Sequence, residues 1–269
     1  MIKRNDSFFT YVFLVIASLV SVFPLIWMLI ATTNDSIDIV GGKLTFGTKL
    51  LENYHNLIAS QDVWTFFGNS FKYAILTTVV SLFVCSLAGY SFEIFHDKAK
   101  DVLFKLILMT MMLPFVSLMV PLFQMFSKAN LLNSTLGFLL PSISTPFLIM
   151  MFRQCAKSFP VEIIEAARID GLKEWQIFIR MFMPTMKSTY AAATTITFMG
   201  SWNNYLWPKV IMTKSNAQTM PMMLSSLTSG YVTDYGMLML AVFITTIPTA
   251  IVFFVLQKSF SEGITGAVK

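Results

Sequence analysis

Six predominantly apolar stretches, at 8–31, 66–94, 102–126, 135–151, 190–210 and 235–256, limit the folds open to this chain more than any other feature. A helix rises about 1.5 Å per residue, so about 20 residues cross a hydrocarbon layer about 30 Å thick. No water is available there to pair with backbone N–H and C=O groups, which makes helices the sensible form for segments of this length. With 55% apolar and 12% charged residues and a mean hydropathy of +0.68, the chain falls outside the soluble class. It reads as an all-α polytopic membrane protein with six transmembrane helices in a single transmembrane domain over 1–269. The first stretch is too long for a signal-peptide core and lacks a small-residue cleavage pattern, so it should remain as an anchor.

Basic residues set the orientation. If the N-terminus is cytoplasmic, that side receives thirteen of the nineteen Lys and Arg residues, and the outside keeps Lys43, Lys49, Lys72, Lys128, Lys209 and Lys214. This places both termini in the cytoplasm. The formal charge of +5 is that cytoplasmic excess and implies no nucleic-acid partner.

The hydrophilic interval 153–187 lies between the fourth and fifth apolar stretches and is cytoplasmic on this orientation. Ser158 and Pro160 suit a helix start, Glu162 and Glu165 suit its first turns, and Gly171 is placed to end the helix in a left-handed conformation. A short helix is therefore expected over 159–170. Beyond Gly171, Trp175, Phe178, Ile179 and Phe182 follow helical spacing, with Lys173, Gln176 and Arg180 on the other side. A second amphipathic helix is expected there, closed by Pro184. Two short helices bent at a glycine make a docking surface for a soluble partner.

Glu165, Ala166, Ala167, Gly171 and Pro184 resemble the EAA signature of the membrane subunits of bacterial ABC importers, with that family's separations. The fuller run from Glu165 through Asp170 to Gly171 is similar to the carbohydrate, maltose-type branch. Met181 and Met183 depart from the usual Ile and Leu, a swap of similar volume. The resemblance implies a type I ABC importer permease in a bacterial cell membrane. It also implies four kinds of contact: a second homologous permease subunit, a dimer of ATP-binding subunits, an extracellular sugar-binding protein, and membrane lipid. On this reading Glu165, Ala166, Ala167, Asp170 and Gly171 couple to the ATPase, and the tail over 257–269, with Gly263, Gly266 and Lys269, reaches it. The chain would bind no cofactor, and ATP and Mg would be used by the partner ATPase.

The fifth stretch holds Thr194, Thr195, Thr197, Gly200 and Ser201 before Trp202, Asn203, Asn204 and Tyr205, and such residues belong on a helix facing the bundle interior. Aromatic planes beside amides are a common way to bind sugars, which makes these last four a candidate substrate path. Aromatic anchoring at the membrane interface is the other reading of the same run. Within the importer class an oligosaccharide is the first choice of substrate, and a polyol or glycerol phosphate the second.

Other chemistries lack their residues. There is no phosphate-binding Gly-rich loop, zinc-protease motif or nucleophile elbow. Cys85, Cys155, His55 and His96 are isolated from one another in sequence, and the nineteen methionines have no Cys or His beside their clusters. Ion-gradient-driven transport generally uses a mid-membrane carboxylate, and the apolar stretches have none away from their ends. The chain is therefore expected to be a transporter subunit and not an enzyme.

Overall fold

The computed structural model describes residues 4–230 and 232–265, with side chains over 8–230 and 232–258. The elements are all helical: α1 (Arg4–Ala31), α2 (Ser36–Val40), α3 (Leu50–Ser60), α4 (Val63–Ile94), α5 (Lys98–Met109), α6 (Phe115–Lys128), α7 (Thr135–Leu139), α8 (Pro146–Ala156), α9 (Val161–Ile169), α10 (Glu174–Ile177), α11 (Met183–Thr185), α12 (Lys187–Trp202), α13 (Leu206–Ile211), α14 (Met220–Leu227) and α15 (Tyr235–Thr265). They divide into two compact units, Met1–Val63 with Met223–Ile247, and Trp64–Met222 with Pro248–Lys269.

Among the described residues three helices are long and apolar enough to cross a membrane: Phe8–Ala31, Val63–Ile94 and Tyr235–Lys258. Two bent pairs raise the number to five if each is one span: Lys98–Met112 with Phe115–Lys128, bent by 102°, and Thr135–Ser142 with Pro146–Ala156, bent by 51°. Both breaks fall at proline, which lacks an N–H and disfavours a helical residue before it. The stretch at 190–210, expected as one span, is two helices, because α12 stops at Trp202 and α13 starts at Leu206. Asn204 favours the break by offering its side-chain oxygen to the Trp207 N–H at 3.4 Å.

In the first unit, the segment between the first two apolar stretches folds into α2 and α3 and is tied down. Asp35 caps α2 by accepting from the Asp38 N–H at 2.9 Å. The Ser36 hydroxyl accepts from the Tyr235 N–H at 2.9 Å, and Asp234 Oδ1 from the Met237 N–H at 3.1 Å. Asn53, 4% exposed, donates to the Thr32 and Asn34 carbonyls at 2.9 and 3.0 Å. Gly236 lies so close that a Cβ there would sit 2.6 Å from Asn53 Oδ1. Asn53→Ala strips both carbonyls of this donor and is expected to cost about 1–3 kcal/mol. A lower melting midpoint of the detergent-solubilised protein checks it.

Among the described residues, three apolar cores lie in the second unit. Near the start of α4, Tyr73 stacks on Phe138 at 4.4 Å, and buried Trp207 donates its indole N–H to the Gly137 carbonyl at 3.0 Å. The next core joins Leu82, Cys85, Leu148, Ile149, Phe152 and Ala193. There α4 and α8 touch backbone to backbone, since a Cβ on Gly89 would lie 2.6 Å from both the Arg153 nitrogen and Phe152 Cβ. The third core, around Tyr90, Phe178 and Phe182, supports the interval 153–187.

Candidate functional site

In that interval α9 spans Val161–Ile169, slightly shorter than the expected helix, with Pro160 in extended conformation at its N-cap. It ends in a Schellman turn. The Leu172 N–H bonds the Ala167 carbonyl and the Gly171 N–H the Arg168 carbonyl, both at 3.0 Å, with Gly171 at φ +79°. Leu172 then packs on the apolar core that also holds Ala167. Arg168 and Glu174 close the two arms across the bend with a 2.6 Å ion pair.

The second arm differs from its sequence reading in two ways. Pro184 does not close it: α10 runs into a π-turn, Phe178–Phe182, and then into α11, which contains Pro184 near its start. A π-turn shifts the hydrogen-bond register, and this one does so just ahead of a residue with no N–H. Trp175 is 63% exposed, and Ile177 takes the buried place beside Phe178 and Phe182. The phenylalanines stack at 5.8 Å, and Tyr90 from α4 meets them at 5.4 and 4.9 Å. A long helix therefore rests directly on the bent segment.

The solvent-facing surface of this elbow carries Glu165, Ala166, Asp170 and Gly171, flanked by Ile169 at 86% exposure and by Trp175. Ala167, placed with them from sequence, is 4% exposed and faces the core. Acidic groups, small side chains and uncovered apolar residues together make a surface suited to a protein partner.

Beside the elbow, Arg153 joins three helices. It donates to Glu93 at 3.1 Å and Asp101 at 2.8 Å, its guanidinium lies 4.3 Å from the Phe104 ring centre, and His96 approaches the other Asp101 oxygen at 2.8 Å. Asp97 caps α5, and the Lys100 N–H bonded to it holds its carboxyl below the usual range. Arg153→Met leaves Glu93 and Asp101 without their shared cation and is expected to lower the melting midpoint measurably. Glu93→Gln in the same background should recover part of the loss.

The sequence-predicted transport residues separate. Trp202 is 1% exposed, stacked on Phe198 at 5.9 Å and edge-on to Phe67 at 5.5 Å, so its faces are occupied by packing. Asn203, Asn204 and Tyr205 instead line a cavity of about 460 Å³. An adjoining cavity of about 190 Å³ is lined by Asn204 together with Thr77, Ser142, Thr145, Thr197 and Ser201. Thr77, Ser142 and Thr145 had no sequence signal beyond being hydroxyls in apolar runs. Gly263 lies in the last turns of α15, whereas Gly266 and Lys269 lie outside the described residues.

Comparison with known proteins bears on this arrangement. The family model for binding-protein-dependent transport system inner membrane components matches residues 86–266. A lactose transport system permease protein of Rhizobium radiobacter is 45% identical over 99% of this chain and 98% of its own. An arabinooligosaccharides transport system permease protein of Halalkalibacterium halodurans is 34% identical over 93% and 92%. A sn-glycerol-3-phosphate transport system permease protein of Escherichia coli K12 is 30% identical over 98% and 97%. In fold, the chain superposes with a TM-score of 0.82 and 22% identity on a chain of a bacterial ABC transporter involved in the import of the acidic polysaccharide alginate, covering 97% of this chain and 99% of that one. The chain with its glycine-bent elbow belongs to the binding-protein-dependent transport system inner membrane component family, and is a multi-pass permease of the cell membrane.

Proposed function

We propose that the chain is one permease subunit of an ATP-driven importer that takes up an oligosaccharide delivered by an extracellular binding protein. The elbow is the observation that carries this reading. It presents Glu165, Ala166, Asp170 and Gly171 outward on a rigid bend while Tyr90 of α4 packs on its inner side. A soluble ATPase gripping the outer side would move a membrane helix through the inner one. The names of the lactose and arabinooligosaccharide relatives support a sugar cargo.

On this reading the chain crosses the membrane six times, with both bent pairs and the α12–α13 segment as crossings and both termini in the cytoplasm. A second permease, two ATP-binding subunits and a sugar-binding protein complete the assembly, and ATP and Mg belong to the ATPase. Purifying the chain from its native membrane in mild detergent tests this. A Walker-motif ATPase and a second permease should co-purify, and recovery of the chain alone or as a homodimer at every salt concentration would overturn it.

A further inference from the structure

The two adjoining cavities share Ser142, Thr145, Gly200 and Asn204. Together they fall within the range of about 300–1,000 Å³ usual for ligand sites. Four features set them apart from packing defects. First, the helix break between Ser142 and Pro146 lies along them, and irregular backbone at membrane depth is tolerated where it lines a cavity. Second, the hydroxyl oxygens of Thr77, Thr197 and Ser201 are shut off from water and, among the described residues, have no hydrogen-bond partner. Their neighbours Thr194 and Thr195 on the same helix bond back to the Tyr190 and Ala191 carbonyls at 2.7 and 3.0 Å. Buried hydroxyls normally find partners, and a turn about χ1 changes the group each one meets.

Third, Gly200 leaves room, because a Cβ there would meet nothing within 4 Å. Fourth, among the described residues that line the two cavities none is charged. A phosphate entering such a place would lose its water with no cation to replace it. A sugar hydroxyl, which donates and accepts, suits unpartnered hydroxyls and an asparagine amide.

We propose that these cavities are a saccharide subsite on this chain itself, read by Thr77, Thr197, Ser201 and Asn204, that takes a neutral ligand and refuses a phosphorylated one. The inference rests on the sugar-importer reading and goes beyond it, since that reading leaves open which permease touches the cargo and whether the cargo is charged.

The test uses the purified assembly in vesicles with lactose, an arabinotriose and sn-glycerol 3-phosphate as probes. Wild type should take up a neutral probe and ignore the phosphate. Gly200→Leu, whose side chain enters open space, should cut uptake at least about tenfold while the variant still co-purifies with its partners and keeps the wild-type melting midpoint. Thr197→Val and Ser201→Ala should each raise KM about five- to tenfold, the size of one lost hydrogen bond. Because each removes an unpartnered hydroxyl, neither should lower the melting midpoint, whereas loss of a purely structural bond would. Wild-type uptake by the Gly200→Leu variant, or unchanged KM in the other two, overturns the subsite and leaves the importer reading intact. Uptake of glycerol 3-phosphate overturns its neutral character. No uptake of any probe by the wild type removes the importer reading and the subsite with it.

Discussion

Gly171→Val is expected to abolish productive sugar uptake while leaving the chain folded in the membrane. Gly171 holds φ at +79°, where a β-branched residue is disfavoured by about 1–2 kcal/mol or more, and open space around it means that backbone conformation and not crowding is the obstacle. Relief of that strain would unwind the Schellman turn, pull Leu172 from the core and part Arg168 from Glu174. The outward residues would then no longer stand in one orientation for an ATPase. Uptake should fall at least about tenfold, equivalent to about 1.4 kcal/mol of lost coupling, with basal ATP hydrolysis retained. Gly171→Asn is the control, since asparagine tolerates positive φ and should keep most of the activity. Equal uptake by the valine and asparagine variants would remove the elbow from the mechanism.

Gly89→Val should act on folding instead. Its Cβ would enter the α4–α8 contact at 2.6 Å from Arg153 N and Phe152 Cβ, and the nearest obstacle includes backbone that no rotamer change can clear. Overpacking of a core commonly costs about 1–3 kcal/mol, and separation of these helices would also part Arg153 from Glu93, adding to that cost. Most of the variant should appear as aggregate when detergent extracts are sized by chromatography. A wild-type yield of monodisperse protein would show that α4 and α8 can part without loss of fold.

The elbow was legible in sequence because its determinants are local. A glycine followed by a hydrophobic residue that returns to the core is written within one helix end. Its second arm was less so: Trp175 fits the apolar stripe by spacing, yet the π-turn changes the angle per residue and brings Ile177 inward. Pro184 read as a stop, and that turn lets the helix continue through it. The span at 190–210 was marked by its hydroxyl and amide content as facing an interior, though the break between Trp202 and Leu206 was not foreseen. Burial of Trp202 depends on Phe67, distant in sequence, and no periodicity within one segment reports such a contact. The same holds for the cavity, whose hydroxyls come from α4, from the break before α8 and from α12, and for the join of Gly89 to Arg153.

The most direct measurement of the central claim is sugar accumulation by the purified assembly in sealed vesicles, with the binding protein outside and ATP inside. The account predicts accumulation of labelled lactose or arabinotriose that requires ATP, consumes it in proportion, and is indifferent to ionophores that collapse proton and sodium gradients. Accumulation that persists without ATP and disappears with the ionophores would contradict it.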